Sequence, residues 1–215
     1  MSKSPKLQVK RHAERGKYGR DDIISILDDG YLVHIGFFED GLPYVMPTLY
    51  ARIGEMVYIH AATGNRLMGL LRNGETVCLE VTLADGIVLA DSLFSHSMNY
   101  RSVMLFGQGQ EVKGLDEKSE ILIAFSEKLV PGRGQDARVP SKAELKQTGL
   151  FGFNIDTASA KVRTGPPSTD EGESYQSSWT GVIPLKEQWG TPIPSERCSN
   201  APLPKYIHEH LEKSK

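Results

Sequence analysis

Two β-rich runs separated by Asp40-Gly41 constrain the fold more than any other part of this sequence. The first run covers residues 31–38 and the second covers residues 42–50, and both are rich in β-branched and aromatic side chains. An Asp-Gly pair between two such runs is typical of a tight turn, because both positions tolerate a positive φ. The pattern therefore predicts an antiparallel hairpin.

The rest of the chain continues with short strands and a few inserted helices. Strands are predicted over residues 56–61, 76–82, 87–90, 150–162 and 179–184, with Asp85-Gly86 as the turn of a second hairpin. Apolar spacing predicts helices over residues 20–28, 65–73, 116–129 and 142–147. This order favours a mostly β fold, a small antiparallel β-barrel with inserted helices, over a doubly wound sheet.

The length of 215 residues suits one such barrel with a tail at each end. We expect a charged N-terminal arm over residues 1–17 and the barrel domain over residues 18–185. Residues 164–172 lose all periodicity and are predicted to form a loop. Residues 186–215 form a proline-rich C-terminal arm that is expected to wrap over its own domain or a partner.

Composition excludes several classes of partner. The net charge is −2, from 25 Lys and Arg against 27 Asp and Glu, and no long basic block is present, so a nucleic-acid partner is not expected. No stretch approaches the ~20 apolar residues of a membrane span, and we expect a cytoplasmic protein. Cys78 and Cys198 lie far apart, which indicates neither a disulfide nor a metal site.

Common catalytic motifs are also missing. The sequence contains no GxGxxG after a strand, no P-loop, no GxSxG elbow and no HExxH pair. His34 and His60 each lie in an apolar strand, where a hydrogen-bonded structural histidine is the expected role. No general acid or base can be named from the sequence.

A polar and aromatic segment precedes the apolar run of residues 103–107. In it, Asn99, Tyr100, Arg101 and Ser102 are predicted to project from a strand mouth toward a ligand or a second subunit. A phosphorylated planar ligand would use an arginine for its charge, hydroxyl and amide groups for hydrogen bonds and a tyrosine for its ring. Arg101 could bind a phosphate or lie beside the ring, or it could only pair with an acid across a subunit interface.

The second candidate element is the strand end and helix start at residues 60–66. Asn65 is placed near the N-cap of the predicted helix, where unpaired backbone N–H groups attract anions, and Arg66 adds a full positive charge. This turn is predicted to bind a phosphate.

Four segments together resemble the flavin-nucleotide-binding branch of the pyridoxamine 5'-phosphate oxidase-like proteins, which is similar to the nitroimidazole-resistance flavoproteins. They are LPYVMPTLY at residues 42–50, YIHAATGNR at 58–66, HSMNYRSV at 96–103 and SAKVRTGPP at 159–167. The resemblance implies a six-stranded split barrel that forms a homodimer with two FMN molecules at the subunit interface.

The resemblance also assigns roles to residues. The strand from Val45 to Thr48 would run along the flavin, the turn from His60 to Arg66 would hold its phosphate, and the strand at residues 100–102 would reach FMN from the neighbouring subunit. The full set of predicted cofactor-binding residues is Val45, Met46, Pro47, Thr48, His60, Ala61, Gly64, Asn65, Arg66, Asn99, Tyr100, Arg101, Ser102, Lys161, Arg163 and Trp179.

The chain departs from the true pyridoxamine phosphate oxidases at two points. Leu67 follows Arg66 where those enzymes carry an Arg-Lys pair, and the C-terminal arm lacks their Arg-x-His element. The sequence therefore predicts an FMN-dependent oxidoreductase acting on an unidentified small molecule, with NAD(P)H as a candidate electron donor. The alternatives are oxidation of a B6 vitamer, a deazaflavin-dependent reductase, and a non-catalytic flavin- or haem-binding module in which His96 or His60 would be the axial ligand.

Overall fold

The fold is an antiparallel sheet with six helices around it, seen in a computed structural model that describes residues 7–168 and 178–213. The strands are β1 (Gly16–Lys17), β2 (Leu32–Glu39), β3 (Leu42–Ile53), β4 (Met56–Ala62), β5 (Thr76–Leu89), β6 (Ser97–Gln108), β7 (Gln110–Glu111), β8 (Thr148–Asn154), β9 (Ala158–Arg163) and β10 (Gly181–Pro184). The α-helices are α1 (Arg20–Asp29), α2 (Arg66–Arg72), α3 (Leu115–Leu129), α4 (Arg133–Asp136), α5 (Lys142–Gln147) and α6 (Lys205–Lys213).

All strand pairings in the described part of the chain are antiparallel. The order across the sheet is β1-β9-β6-β5-β2-β3-β4-β8-β7, and β10 pairs with β5. The sheet does not close into a complete barrel, which matches the split-barrel class predicted from the sequence. It has ten strands where the resemblance implied six, because β1, β7 and β10 are short additions and the last long strand is divided in two.

The core lies on the inner face of the curved sheet. Alternate residues of β2, β4, β5 and β6 point into it, among them Ile35, Ile59 and Leu79. Helix α1 covers this core with Ile23, Ile26 and Leu27. A smaller cluster on the opposite face joins Ile121 and Phe125 of α3 to Leu150 of β8.

The first predicted hairpin is confirmed. Leu32 pairs with Leu49 and Glu39 pairs with Leu42. Asp40 has φ 51° and Gly41 has φ 77°, so both turn residues use the left-handed region that an Asp-Gly pair tolerates.

The second predicted hairpin is wrong. Residues 76–89 form one strand, β5, whose pairing with β6 runs from Thr76 opposite Gln108 to Val88 opposite Ser97. The register shifts between Ala84 and Gly86, so Asp85 occupies a β-bulge. An Asp-Gly pair is compatible with a bulge as well as with a turn. Here the continuous pairing with β6 selects the bulge.

The predicted strand over residues 150–162 is also corrected. A short 3-10 helix at Ile155–Thr157 divides it into β8, which pairs with β4, and β9, which pairs with β6. The Asn154 side chain caps this turn by accepting a hydrogen bond from the Asp156 N–H at 2.8 Å. The chain thus crosses from one half of the split sheet to the other.

The C-terminal arm folds back on its own domain. Trp189 lies 6.0 Å from the Tyr31 ring and 5.3 Å from the His210 ring, measured between centroids. The Tyr206 hydroxyl donates to Asp136 at 2.7 Å. The last described residues of the arm form helix α6, which was not predicted from the sequence, and His210 of this helix packs against Trp189. Of the predicted loop at residues 164–172, positions 164–168 contain no helix or strand, and the remainder lies outside the described residues.

Candidate functional site

A cleft between β3, β4 and α2 brings together part of the predicted site. This strand cleft has a volume of about 160 Å³. Its predicted lining residues are Met46, Pro47, Thr48, His60, Ala61 and Asn65. They meet because β4 returns antiparallel beside β3, with Tyr50 opposite Ile59, and α2 follows directly from β4. Val45 lies on the adjoining stretch of β3 and is 67% exposed.

The turn from Gly64 to Arg66 borders the strand cleft. The Asn65 side chain accepts a hydrogen bond from the Leu67 N–H at 2.9 Å, which confirms Asn65 as the N-cap of α2. Arg66 points toward the β2–β3 hairpin, where its Nε lies 2.8 Å from a Glu39 carboxylate oxygen and its guanidinium lies 4.7 Å from the Tyr44 ring centroid. A phosphate at this turn would therefore compete with Glu39 for the guanidinium.

A second pocket, which we call the helical pocket, lies under α3 and has a volume of about 300 Å³. Its wall is mostly apolar and includes Leu49, Leu122, Phe125 and residues 137–140. His60 belongs to this wall as well as to the strand cleft. This pocket was not predicted from the sequence, although the apolar spacing of residues 116–129 predicted the helix that forms one of its walls.

The environment of His60 favours a neutral imidazole. Its ring is half-buried and meets the Phe125 ring edge-on, with centroids 4.7 Å apart. Burial lowers the pKa of His60 below its ordinary value, because an apolar surrounding disfavours the charged form. Within the described residues neither ring nitrogen has a hydrogen-bond partner. A neutral imidazole with an unused nitrogen is the form that binds a metal.

The four polar residues of β6 do not act as one group. They lie inside the strand, not at its mouth, and successive side chains of a strand point to opposite faces. Asn99 and Arg101 share the inner side with Val103, while Tyr100 and Ser102 lie on the outer side. The expectation that all four project toward one ligand is therefore corrected.

Arg101 is held by acids of its own chain. Its guanidinium donates to Asp85 at 2.9 Å and to Asp29 at the end of α1. Hydrogen bonds from the guanidinium to Asp85, and secondarily to Asp29, raise the pKa of Arg101. The bulge at Asp85 is what places that carboxylate beside the guanidinium.

The remaining predicted residues lie elsewhere. Ser102 and Lys161 border a pocket of about 260 Å³ that N-terminal residues 7–11 help to line. Asn99 binds Arg163 at the end of β9. Trp179 precedes β10 and is 65% exposed. The structure thus separates the predicted site residues into the strand cleft with its turn and several positions around β6 and β9.

The split sheet and the strand cleft define the class of protein. The family model described as pyridoxamine 5'-phosphate oxidase matches residues 19–162. The chain therefore belongs to the pyridoxamine 5'-phosphate oxidase family, as its four segments had indicated. No curated protein matches the chain in sequence.

Solved structures resemble the chain over most of its length. The flavocytochrome Anf3 from Azotobacter vinelandii is 36% identical, covers 96% of each chain and has a TM-score of 0.90. An FAD and haem binding protein from Mycobacterium smegmatis is 30% identical over 92% of this chain and 97% of its own, with a TM-score of 0.86. A protein from Bacteroides thetaiotaomicron assigned to 5-nitroimidazole antibiotic resistance is 20% identical over 68% of this chain and 86% of its own, and its TM-score of 0.58 supports the fold alone.

Within the part of the chain that the structure describes, no helix is both long and apolar enough to cross a bilayer.

Proposed function

We propose that this chain binds a flavin nucleotide and a haem and transfers electrons between them. The observation that carries the proposal is that His60 lines both the strand cleft and the helical pocket. Two relatives that match over more than nine-tenths of this chain support it, because one is a flavocytochrome and the other is an FAD and haem binding protein.

The residues of the strand cleft suit a flavin. Met46, Pro47 and Thr48 offer an apolar strand with one hydroxyl along which a ring system would lie, and Arg66 would bind a phosphate after releasing Glu39. The cleft of about 160 Å³ is smaller than the ~300 Å³ at which small-molecule sites begin. One chain therefore supplies part of the site, and a second copy would complete it.

The residues of the helical pocket suit a haem. Its wall is mostly apolar, and the neutral imidazole of His60 would hold the haem iron. The exposed Arg138, which now pairs with Glu144 at 2.8 Å, would bind a propionate in place of that carboxylate. His96, the other histidine considered as a ligand, is exposed, and its Nδ1 lies 2.9 Å from the Ser92 carbonyl oxygen. A flavin exchanges electron pairs and a haem iron exchanges single electrons, so together they would couple two kinds of redox partner.

The form of the flavin and the reaction are part of this proposal. FMN was predicted from the family resemblance, whereas the Mycobacterium smegmatis relative binds FAD. Reduction by NAD(P)H, the identity of the small-molecule substrate and a role as an oxidoreductase remain predictions. Chromatography of the heat-released cofactor against FMN and FAD standards determines which of the two flavins is bound.

A homodimer completes the proposed site. The outer face of β2 and β3 exposes Leu32, Phe38, Val45 and Leu49 by 40%, 71%, 67% and 37%. Leu32 and Leu49 are cross-strand partners, so these side chains share one face. An apolar face of this kind is typical of a protein interface.

The decisive experiment is an absorbance spectrum of the purified protein and of two variants. The wild-type protein is expected to show flavin bands and a Soret band. His60→Ala is expected to lose the Soret band and keep flavin, because the His60 ring packs against Phe125 in the helical pocket, while His96→Ala keeps both. An unchanged Soret band in His60→Ala, or a wild-type protein that takes up no haem on reconstitution, contradicts the haem assignment.

A further inference from the structure

The most buried arginine of the described chain lacks a carboxylate partner. Arg163, the last residue of β9, is 8% exposed. Other arginines pair with acids, as Arg52 does with Asp28 at 2.6 Å and Arg72 with Glu111 at 3.0 Å. In the described residues Arg163 donates only to neutral oxygens, namely Asn99 Oδ1, the Gly165 carbonyl and the Pro166 carbonyl at 3.3 Å. Its Nε is buried and has no hydrogen-bond partner within residues 7–168 and 178–213.

A buried charge without a counter-ion is costly, because desolvation is not offset by attraction to an opposite charge. Burial lowers the pKa of Arg163, and the neighbouring positive charge of Arg15 lowers it further. An anion near the guanidinium would counteract both effects, because it stabilises the charged form of Arg163. Among the residues that the structure describes, no negative charge therefore offsets the cost of burying Arg163.

A pocket of about 400 Å³ adjoins Arg163 and supplies more positive charge. Arg15 and Lys17 enter it from the segment that pairs with β9, where Gly16 lies opposite Lys161. Glu14 is the one carboxylate among the described lining residues, and it is already 3.3 Å from His12 Nδ1 and 3.6 Å from Arg15 Nε. Three cationic side chains thus converge on one cavity.

We propose that this pocket, which we call the β9 pocket, binds a small phosphate-bearing anion. A guanidinium held by carbonyl and amide oxygens keeps a fixed orientation, and its planar fork matches phosphate geometry. Arg15 and Lys17 supply the additional charge that a dianion needs. The β9 pocket is built from β1, β9 and residues 164–168, so it does not depend on the residues of the strand cleft or the helical pocket. The anion is either a free phosphate compound or the pyrophosphate of a bound FAD.

The test is a titration of the purified, ¹⁵N-labelled protein with inorganic phosphate, observed at the arginine Nε–H resonances. Arg163→Lys identifies the Arg163 signal by its loss. A saturable shift of this signal is expected, and sodium chloride at the same ionic strength should not reproduce it. Arg15→Gln and Lys17→Gln, which leave the buried arginine in place, should each weaken phosphate binding by roughly tenfold, as expected for the loss of a charge-assisted contact. Lys113→Gln, which removes an exposed charge elsewhere, should leave phosphate affinity unchanged.

Repeating the titration with and without flavin distinguishes a free phosphate compound from the pyrophosphate of FAD as the bound anion. Binding to the flavin-loaded protein indicates a free phosphate compound. Binding only after flavin removal, with Arg15→Gln weakening FAD but not FMN, indicates the FAD pyrophosphate.

Two results would overturn the proposal. The first is the absence of a saturable phosphate shift in both flavin states. The second concerns the acids at positions 170, 171 and 173, which lie outside the described residues. Phosphate binding that appears only in the triple variant Asp170→Asn, Glu171→Gln, Glu173→Gln would mean that the chain's own carboxylates serve as the counter-ion.

Discussion

At the scale of single residues, Arg66 is predicted to bind the flavin phosphate and forms an ion pair with Glu39 in this structure. Its Nε lies 2.8 Å from Glu39. Arg66→Ala is expected to weaken flavin binding by roughly tenfold or more, because a charge-assisted phosphate contact contributes ~1.5 to 3 kcal/mol. Glu39→Gln removes the competing carboxylate and should preserve or increase affinity. Flavin fluorescence titration measures both variants, and equal affinities of Arg66→Ala and wild type would show that the phosphate binds elsewhere.

His60 gives a prediction about pH. Its pKa is lowered in the folded chain from the ordinary value of 6.5, so the unfolded chain takes up a proton at a higher pH than the folded chain does. The free energy of unfolding of the haem-free protein should therefore fall as pH drops below about 6.5. His60→Gln should have a shallower dependence in this range.

Chemical denaturation at several pH values between neutrality and mild acid measures this difference in slope. His208→Gln, which alters an exposed histidine of α6, serves as the control and should retain the wild-type slope. Identical slopes for His60→Gln and wild type would mean that His60 is not shielded from water.

At the scale of elements, Lys128 joins the end of α3 to the end of α1. Its Nζ donates to the Leu27 carbonyl at 2.6 Å and lies 4.1 Å from the Tyr50 ring centroid. Burial lowers the pKa of Lys128 from 10.5 to about 8. Between these values the unfolded chain holds a proton that the folded chain has released, so this residue makes stability rise with pH.

Lys128→Met should remove that rise. The Leu27 carbonyl keeps the Tyr50 hydroxyl as a donor at 2.7 Å, so the variant is expected to fold. Unfolding measured between pH 8 and 10 should show a flatter profile for Lys128→Met, whereas Lys142→Met on the exposed face of α5 should follow wild type. A wild-type profile in Lys128→Met would contradict the lowered pKa.

At the scale of the whole molecule, the exposed face of β2 and β3 predicts the oligomeric state. Phe38→Glu and Val45→Glu place a charge on the proposed interface and should weaken the dimer by roughly a hundredfold or more, because an uncompensated buried charge costs about 3 kcal/mol. Loss of the dimer should release flavin. Ile193→Glu, at a residue that is 94% exposed on the C-terminal arm, is the matched control.

Light scattering combined with the flavin absorbance of each peak reports mass and occupancy together. A wild-type monomer that carries stoichiometric flavin would contradict the shared site. Dimers of unchanged affinity in both glutamate variants would place the interface on another face.

The sequence by itself determined several of the local elements and the family. The hairpin at Asp40-Gly41, the helix capped by Asn65 and the amphipathic helix α3 follow from turn chemistry and spacing, which act over a few residues. Tertiary structure decided what these local rules leave open. The bulge at Asp85 depends on the continuous partner strand β6, and strand alternation sends Tyr100 and Arg101 to opposite faces.

The two pockets that meet at His60 also depended on tertiary structure. Phe125 lies far from His60 in sequence, and only the packing of α3 on the sheet brings their rings to 4.7 Å. Whether a buried charge such as Arg163 has a counter-ion likewise depends on what folds around it. Short-range patterns determine backbone conformation where no partner strand overrides them, whereas burial and contact partners are properties of the assembled fold.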